Sequence, residues 1–144
     1  MAGLVVLDTN VLIAGLRSSQ GASFALLEMI GEGLIEIGLS VPLVLEYEAV
    51  AKRQARELGL NFQDIDDLLD YLCKVGHHHS IYYLWRPVLR DPRDDMVLEL
   101  AVESGIELIL THNIKDFPDA ARFGVRAITP RDYLADIRKR QRRK

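Results

Sequence analysis

Leu4-Val5-Val6-Leu7-Asp8-Thr9-Asn10-Val11-Leu12-Ile13 changes its period in the middle. Four apolar residues in succession read as a buried strand. After Asp8, Thr9 and Asn10 a helical spacing of apolar residues takes over. An acid therefore stands where a buried strand hands over to a helix. In open α/β sheets that edge, at the carboxyl ends of the strands, is where ligands bind. A carboxylate there serves equally well as a metal ligand and as a helix N-cap.

Outward from this run the same alternation recurs. Residues 4 to 8 form the first strand, and a helix starts near Val11 and breaks at Ser18-Ser19-Gln20-Gly21. A second helix covers Ala22 to Ile30, and Leu34 to Leu39 reads as a short strand. Ser40 as cap and Pro42 in the first turn open a long helix to about Leu58, which Gly59 stops. Phe62 to Val75 is amphipathic, with Ile65, Leu68, Leu69 and Leu72 at helical spacing. Ser80 to Trp85 has the β-branched and aromatic character of a strand. A helix over Asp94 to Ser104 ends at Gly105, Glu107 to Leu110 and Val125 to Ile128 are strands, and Pro130 starts a terminal helix. Strands alternating with helices predict an α/β fold, a three-layer α/β/α sandwich around a central, mostly parallel sheet.

With 144 residues, 49% of them hydrophobic, the chain suits one compact domain with a real core. The expected division is a single domain over residues 1–137 and a basic tail over 138–144. No apolar run approaches the roughly 20 residues of a membrane span, and no basic region precedes the first strand as in a secretory signal. A lone cysteine, Cys73, fits a reducing cytoplasm and reads as a small apolar residue of a helix. The net charge of −3 conceals an asymmetry: six of the last seven residues are basic, and the rest of the chain carries 12 basic and 21 acidic residues. The tail reads equally as a solvated helix end and as a segment that meets phosphates, with Arg138, Lys139 and Arg140 foremost.

Three acidic positions share one description. Asp8 follows the first strand, Glu46 lies in the opening turns of the helix after the second, and Asp94 with Asp95 opens the helix after Pro92. In a parallel sheet the chain leaves every strand at the same edge, so Asp8 and Glu46 should converge there, and Asp94 can join them. The turn Thr111-His112-Asn113-Ile114-Lys115-Asp116-Phe117, after the buried strand Leu108-Ile109-Leu110, brings polar groups to that edge once more. Clustered carboxylates stay ionised mainly by binding a divalent cation, or else one of them takes up a proton. Oxygen ligands without nearby thiolates favour Mg²⁺ or Mn²⁺ over zinc, and such ions suit phosphodiester hydrolysis.

These residues resemble a PIN-domain ribonuclease. Val6-Leu7-Asp8-Thr9-Asn10-Val11-Leu12 is similar to the family's first motif, and Ser40-Val41-Pro42-Leu43-Val44-Leu45-Glu46-Tyr47 to its second. Asp91-Pro92-Arg93-Asp94-Asp95-Met96-Val97-Leu98-Glu99-Leu100-Ala101 resembles the third, in the form found among VapC-like toxins of type II toxin–antitoxin modules. Leu108-Ile109-Leu110-Thr111 and its polar turn resemble the fourth. The motifs run in order from residue 5 to about residue 117.

The resemblance implies metal-dependent endonuclease activity on single-stranded RNA. By position it makes Asp8, Glu46 and Asp94 metal ligands for Mg²⁺ or Mn²⁺, with Asp95 one residue of slip away from the third place. Thr9 or Asn10 would orient the first carboxylate. Asn113 stands where many relatives have an acid, and Asp116 is the candidate to supply the missing charge. A water oriented by Asp116 or Asn113 would attack phosphorus in line and leave a 5′ phosphate. Thr111 reads as a phosphate contact or as a plain turn residue. The toxin reading further implies a homodimer and a small antitoxin partner. Two other readings stand beside it: a housekeeping nuclease that processes ribosomal or transfer RNA, and a non-catalytic RNA-binding module. A haloacid-dehalogenase-like phosphatase would need a second Asp where this chain has Asn10.

Other features are ordinary by comparison. Gly76-His77-His78-His79 reads as a solvated loop, because three adjacent histidines do not readily aim at one ion. Tyr82, Tyr83 and Trp85 read as strand residues, alternate ones in the core, rather than base-stacking groups. Arg17, Arg53, Arg56, Arg86, Arg90 and Arg93 are candidates to line an RNA path, but single surface arginines are ordinary. Arg90 and Arg93 are preferred as RNA contacts because they flank the third motif.

Overall fold

The computed structural model describes residues 3–80, 92–118 and 120–142, with the side chains of residues 92 and 93 left aside. Its strands are β1 (Gly3–Leu7), β2 (Ile35–Leu39), β3 (His77–His78), β4 (Leu108–Leu110) and β5 (Arg126–Ile128). Its helices are α1 (Thr9–Arg17), α2 (Ala22–Gly31), α3 (Val41–Arg53), α4 (Ala55–Leu58), α5 (Phe62–Val75), α6 (Pro92–Ser104) and α7 (Pro130–Arg142). The strands form one sheet in the order β3-β2-β1-β4-β5, and every pairing is parallel. Helices on the two sides give the three-layer α/β/α sandwich that the alternating pattern predicts.

Apolar character on both sides of a strand explains the centre of this sheet. Val5, Val6 and Leu7 of β1 are all buried, as are Ile37 and Leu39 of β2 and Ile109 and Leu110 of β4. A strand buried on both faces reads as a continuous apolar run rather than an alternation, and parallel crossovers lay helices over each face. Helix α6 lies against β1, β2 and β4 and packs on α3, which also packs on α5. Helix α2 packs on α1, α7 and β2.

The strand order places β1 in the middle, between β2 and β4. The register pairs Gly3 with Ile35 on one side and Leu7 with Leu110 on the other. The ends of β1, β2 and β4 therefore lie side by side, and the chain leaves all three at one edge.

Local signals set several boundaries. The Ser40 hydroxyl accepts from the Leu43 amide at 3.3 Å, with Pro42 in the first turn of α3. Asn61 and Asp64 close a reciprocal capping box at the start of α5. Gly105 ends α6 at φ +73, where its missing Cβ removes the steric cost of the left-handed turn. The Ile106 amide then donates to the Ala101 carbonyl at 2.9 Å, and the chain is turned into β4.

Two expectations need correction. The long helix read from Ser40 to Leu58 is interrupted: Gln54 leaves helical geometry at φ −102 and ψ 10, and α4 is a separate turn. The interruption lets the Gln54 side chain meet Arg17 of α1 at 2.7 Å. The histidine run is not a loop either. His77 and His78 pair with Gly38 and Leu39 as an edge strand, and the His79 amide donates to the Leu39 carbonyl at 2.8 Å. His77 Nε2 lies 3.2 Å from Glu36, and His78 Nε2 contacts the Cys73 carbonyl at 2.7 Å, so two of the three rings have structural partners. The basic tail takes the first of its two readings as far as it is described: α7 runs unbroken through Arg138, Lys139 and Arg140 to Arg142. The strand read over Ser80 to Trp85 lies outside the described residues apart from Ser80, as do Tyr82, Tyr83, Arg86 and Arg90. Burial, and next the Asp70 carboxylate, push the Cys73 thiol above its ordinary range, which keeps it protonated and poorly nucleophilic.

Candidate active site

The common edge of β1, β2 and β4 carries a cleft of about 520 Å³. Asp8, Glu46, Asp94 and Asp116 all line it, together with Thr9, Asn10, Asn113, His112, Arg17 and Gln54. These residues come from five separate stretches of the chain, and the parallel topology is what brings them together.

Asp8 is the most enclosed of the four acids, with 7% of its surface exposed. It is the N-cap of α1, and its Oδ1 accepts from the Thr9 amide at 2.9 Å. Its other oxygen, Oδ2, accepts from the Thr111 hydroxyl at 2.8 Å and from the Asn10 amide group at 3.3 Å. Burial raises the Asp8 carboxyl above the ordinary carboxylate range. The bonds from Thr111 and Thr9 oppose that rise, while the negative charges of Asp116 and Glu46 add to it.

Thr111 is fully buried, and its hydroxyl is spent on Asp8 rather than turned toward a phosphate. It also accepts from the Asn113 amide at 3.0 Å. Asn10 ties the same turn down from the other side: its Oδ1 accepts from the His112 amide at 3.2 Å, and its Nδ2 reaches Thr111 Oγ1 at 3.4 Å. Thr111 and Asn10 thus act as a clamp that fixes Asp8 and the turn from residue 111 to 113 against each other. The short 3₁₀ turn Ile114–Asp116 follows and delivers Asp116 to the cleft.

Glu46 is half-buried in the second turn of α3. The next residue, Tyr47, is wholly buried, and its hydroxyl donates to the Leu7 carbonyl at 2.6 Å. That bond pins α3 to the end of β1, one residue before Asp8, and so sets Glu46 beside it. Burial, and then the Asp8 charge, raise the Tyr47 phenol far above its usual value, so it stays a donor. Asp94 and Asp95 both stand in the first turn of α6, but only Asp94 lines the cleft; Asp95 is 9% exposed and turned inward.

The sequence reading singled out the acids, set Arg17 aside as an ordinary surface arginine, and missed Tyr47, His112 and Gln54 as parts of this site. His112 Nε2 pairs with the buried Ser23 hydroxyl at 3.1 Å. Tyr47 beside an acid on an apolar helix face was the available signal; nothing local distinguishes Arg17 from other surface arginines. Arg90 and the side chain of Arg93 lie outside the described residues.

Among the described residues, no three acidic, histidine or cysteine side chains already converge as a closed ligand set. The four carboxylates border a shared open space, and their donors are all oxygen. That arrangement fits a hard cation such as Mg²⁺ or Mn²⁺, which keeps several of its waters and is held by few carboxylates. The charges of Asp116 and Glu46 repel that of Asp8, and a cation held in the cleft would relieve that repulsion.

A PIN domain family model matches residues 4–115. Among solved structures, the chain is similar in fold to one from VapBC2 of Rickettsia felis, determined bound to a DNA fragment from their promoter. The TM-score is 0.56 at 12% identity, over 88% of this chain and 98% of that one. No curated protein matches the sequence.

Proposed function

The chain belongs to the PIN domain family, and on that premise we propose that it is a metal-dependent endoribonuclease of single-stranded RNA, the toxin of a toxin–antitoxin pair. The observation that carries the reading is the convergence of Asp8, Glu46, Asp94 and Asp116 on one cleft from four different stretches of chain. Any one of these acids at a helix start is unremarkable. Four facing one space, at the ligand-binding edge of a parallel sheet, suit hydrolysis of a phosphodiester.

Asp8, Glu46 and Asp94 would hold the ion, Mg²⁺ or Mn²⁺, and the ion would supply Lewis-acid stabilisation of charge on the phosphoryl and departing oxygens. The chain's own groups do the rest. Thr111 and Asn10 hold the Asp8 carboxylate in one orientation, so that no reorganisation is needed during reaction. Asp116, exposed at the cleft wall, accepts a hydrogen bond from the attacking water and aligns it with the phosphorus. Asn113, with Thr111 fixing its backbone, lines the same wall and presents a neutral amide where a further acid would add repulsion. The departing 3′ oxygen leaves opposite the water, and a 5′ phosphate remains.

The fold likeness to a chain of VapBC2, determined bound to promoter DNA, lends support to a small antitoxin partner; a toxin homodimer and a cytoplasmic setting belong to the same proposal. Among the described residues no helix is long and apolar enough to cross a membrane. The basic end of α7, with Arg138, Lys139 and Arg140, is a candidate contact for RNA phosphates. Incubating the protein with a mixed single-stranded RNA panel in Mg²⁺, Mn²⁺ or EDTA tests the reading. Cleavage that requires the metal and disappears in Asp8→Asn is expected. RNA binding without cleavage in any metal would instead indicate a non-catalytic module.

A further inference from the structure

Resting on that reading, we propose that Arg17, held by Gln54, grips a non-reacting phosphate of the RNA and sets how the strand enters the cleft. The cleft poses an electrostatic problem. Its wall carries four carboxylates, and a phosphodiester chain approaching it is repelled on every side away from a bound ion. Among the described residues that line it, Arg17 is the one Lys or Arg, and His112, the other basic side chain, is engaged with Ser23.

Its position suits an accessory contact rather than the reacting centre. Arg17 ends α1, the helix that Asp8 begins, so the two helix ends lie about 12 Å apart along the axis. The guanidinium therefore addresses a phosphate to one side of the bond being broken. Its location in the last turn of α1 alone would complement the helix dipole. What goes beyond that is the bond its Nη2 donates to Gln54 Oε1 at 2.7 Å. Gln54 stands at the break between α3 and α4, and both residues line the cleft. A neutral amide fixes the guanidinium's direction without compensating its charge. One donor is spent on Gln54, and the remaining face of the fork matches two phosphate oxygens. The break in the helix thus has a local consequence: it aims the side chain that aims the arginine.

A contact made equally in the ground and transition states changes KM and leaves kcat alone. Steady-state cleavage of a short single-stranded RNA by the full chain in Mn²⁺, at several salt concentrations, reads this directly. Arg17→Gln is expected to raise KM about tenfold with kcat within about twofold. It should also flatten the dependence of log(kcat/KM) on log salt by about 0.7, one single-strand phosphate contact. Arg17→Lys should restore the salt slope but not the full affinity, because ammonium lacks the planar fork. Gln54→Ala should raise KM about two- to threefold and keep the slope, since the charge remains. If the wild type cleaves RNA and Arg17→Gln leaves both KM and the salt slope unchanged, Arg17 is only a surface tie between α1 and α4. If the wild type cleaves no RNA, the functional reading fails and this proposal with it.

Discussion

Asp8 caps a helix and lines the cleft at once, with one oxygen on the Thr9 amide and the other on Thr111 and Asn10. The cap that the sequence offered is present, and the same carboxylate lines the cleft. Burial dominates its electrostatics and raises its pKa when folded. A carboxyl raised in this way binds more protons folded than unfolded, so stability falls as pH rises from the ordinary value of 3.8 through the folded one. At pH 7 in EDTA, Asp8→Asn is therefore expected to melt above the wild type, with the gain vanishing toward pH 3.8 and below. Mn²⁺ should raise the melting temperature of the wild type and not of the variant. Thr111→Val keeps the shape and removes the donor. It should cost about 1–3 kcal/mol in urea denaturation. The acids were legible at this scale because Asp and Glu at strand ends stand out against apolar runs. Thr111 was only half legible: its residue type is common in turns, and its complete burial depends on packing that no local pattern states.

At the scale of elements, the site depends on how α3 and α6 are joined to the sheet. The Tyr47 hydroxyl on the Leu7 carbonyl is a buried bond across two elements. Tyr47→Phe is expected to cost about 1–3 kcal/mol, measured by chemical denaturation, and to lower cleavage by loosening Glu46. Gly105 turns the chain from α6 into β4 at φ +73. Gly105→Ala should cost about 1–2 kcal/mol by the same measurement, because a Cβ is strained in that region. Most of these elements were readable: Pro42, Gly59, Gly76 and Gly105 mark ends that the structure keeps to within a residue or two. The break at Gln54 was not, because no glycine or proline marks it and good helix formers continue on both sides. The histidine strand was missed for the opposite reason. Two residues at the sheet edge carry no period, and their pairing with β2 is set by the neighbour, not by their own chemistry.

Across the whole molecule, charge is divided between an acidic body and a basic helix end. Ile137 packs against the core, whereas the residues from Arg138 to Arg142 are exposed apart from their helical bonds. Ending the chain after Ile137 is therefore expected to preserve folding while weakening RNA binding and flattening its salt dependence, as fluorescence anisotropy across a salt series would show. The common edge that unites Asp8 and Glu46 followed from alternation alone, but the strand order β3-β2-β1-β4-β5 did not, and which of Asp94 and Asp95 faces the cleft depended on the rotation of α6 against the sheet. Direct Mn²⁺ titration at pH 7, by calorimetry on folded wild type and on Asp8→Asn, Asp94→Asn and Asp95→Asn, tests the shared cation site most directly. Binding by the wild type and by Asp95→Asn, with affinity lost at least about tenfold in the other two, is the expected result. A wild type that binds no Mn²⁺, or one whose affinity is indifferent to Asp8 and Asp94, would contradict it.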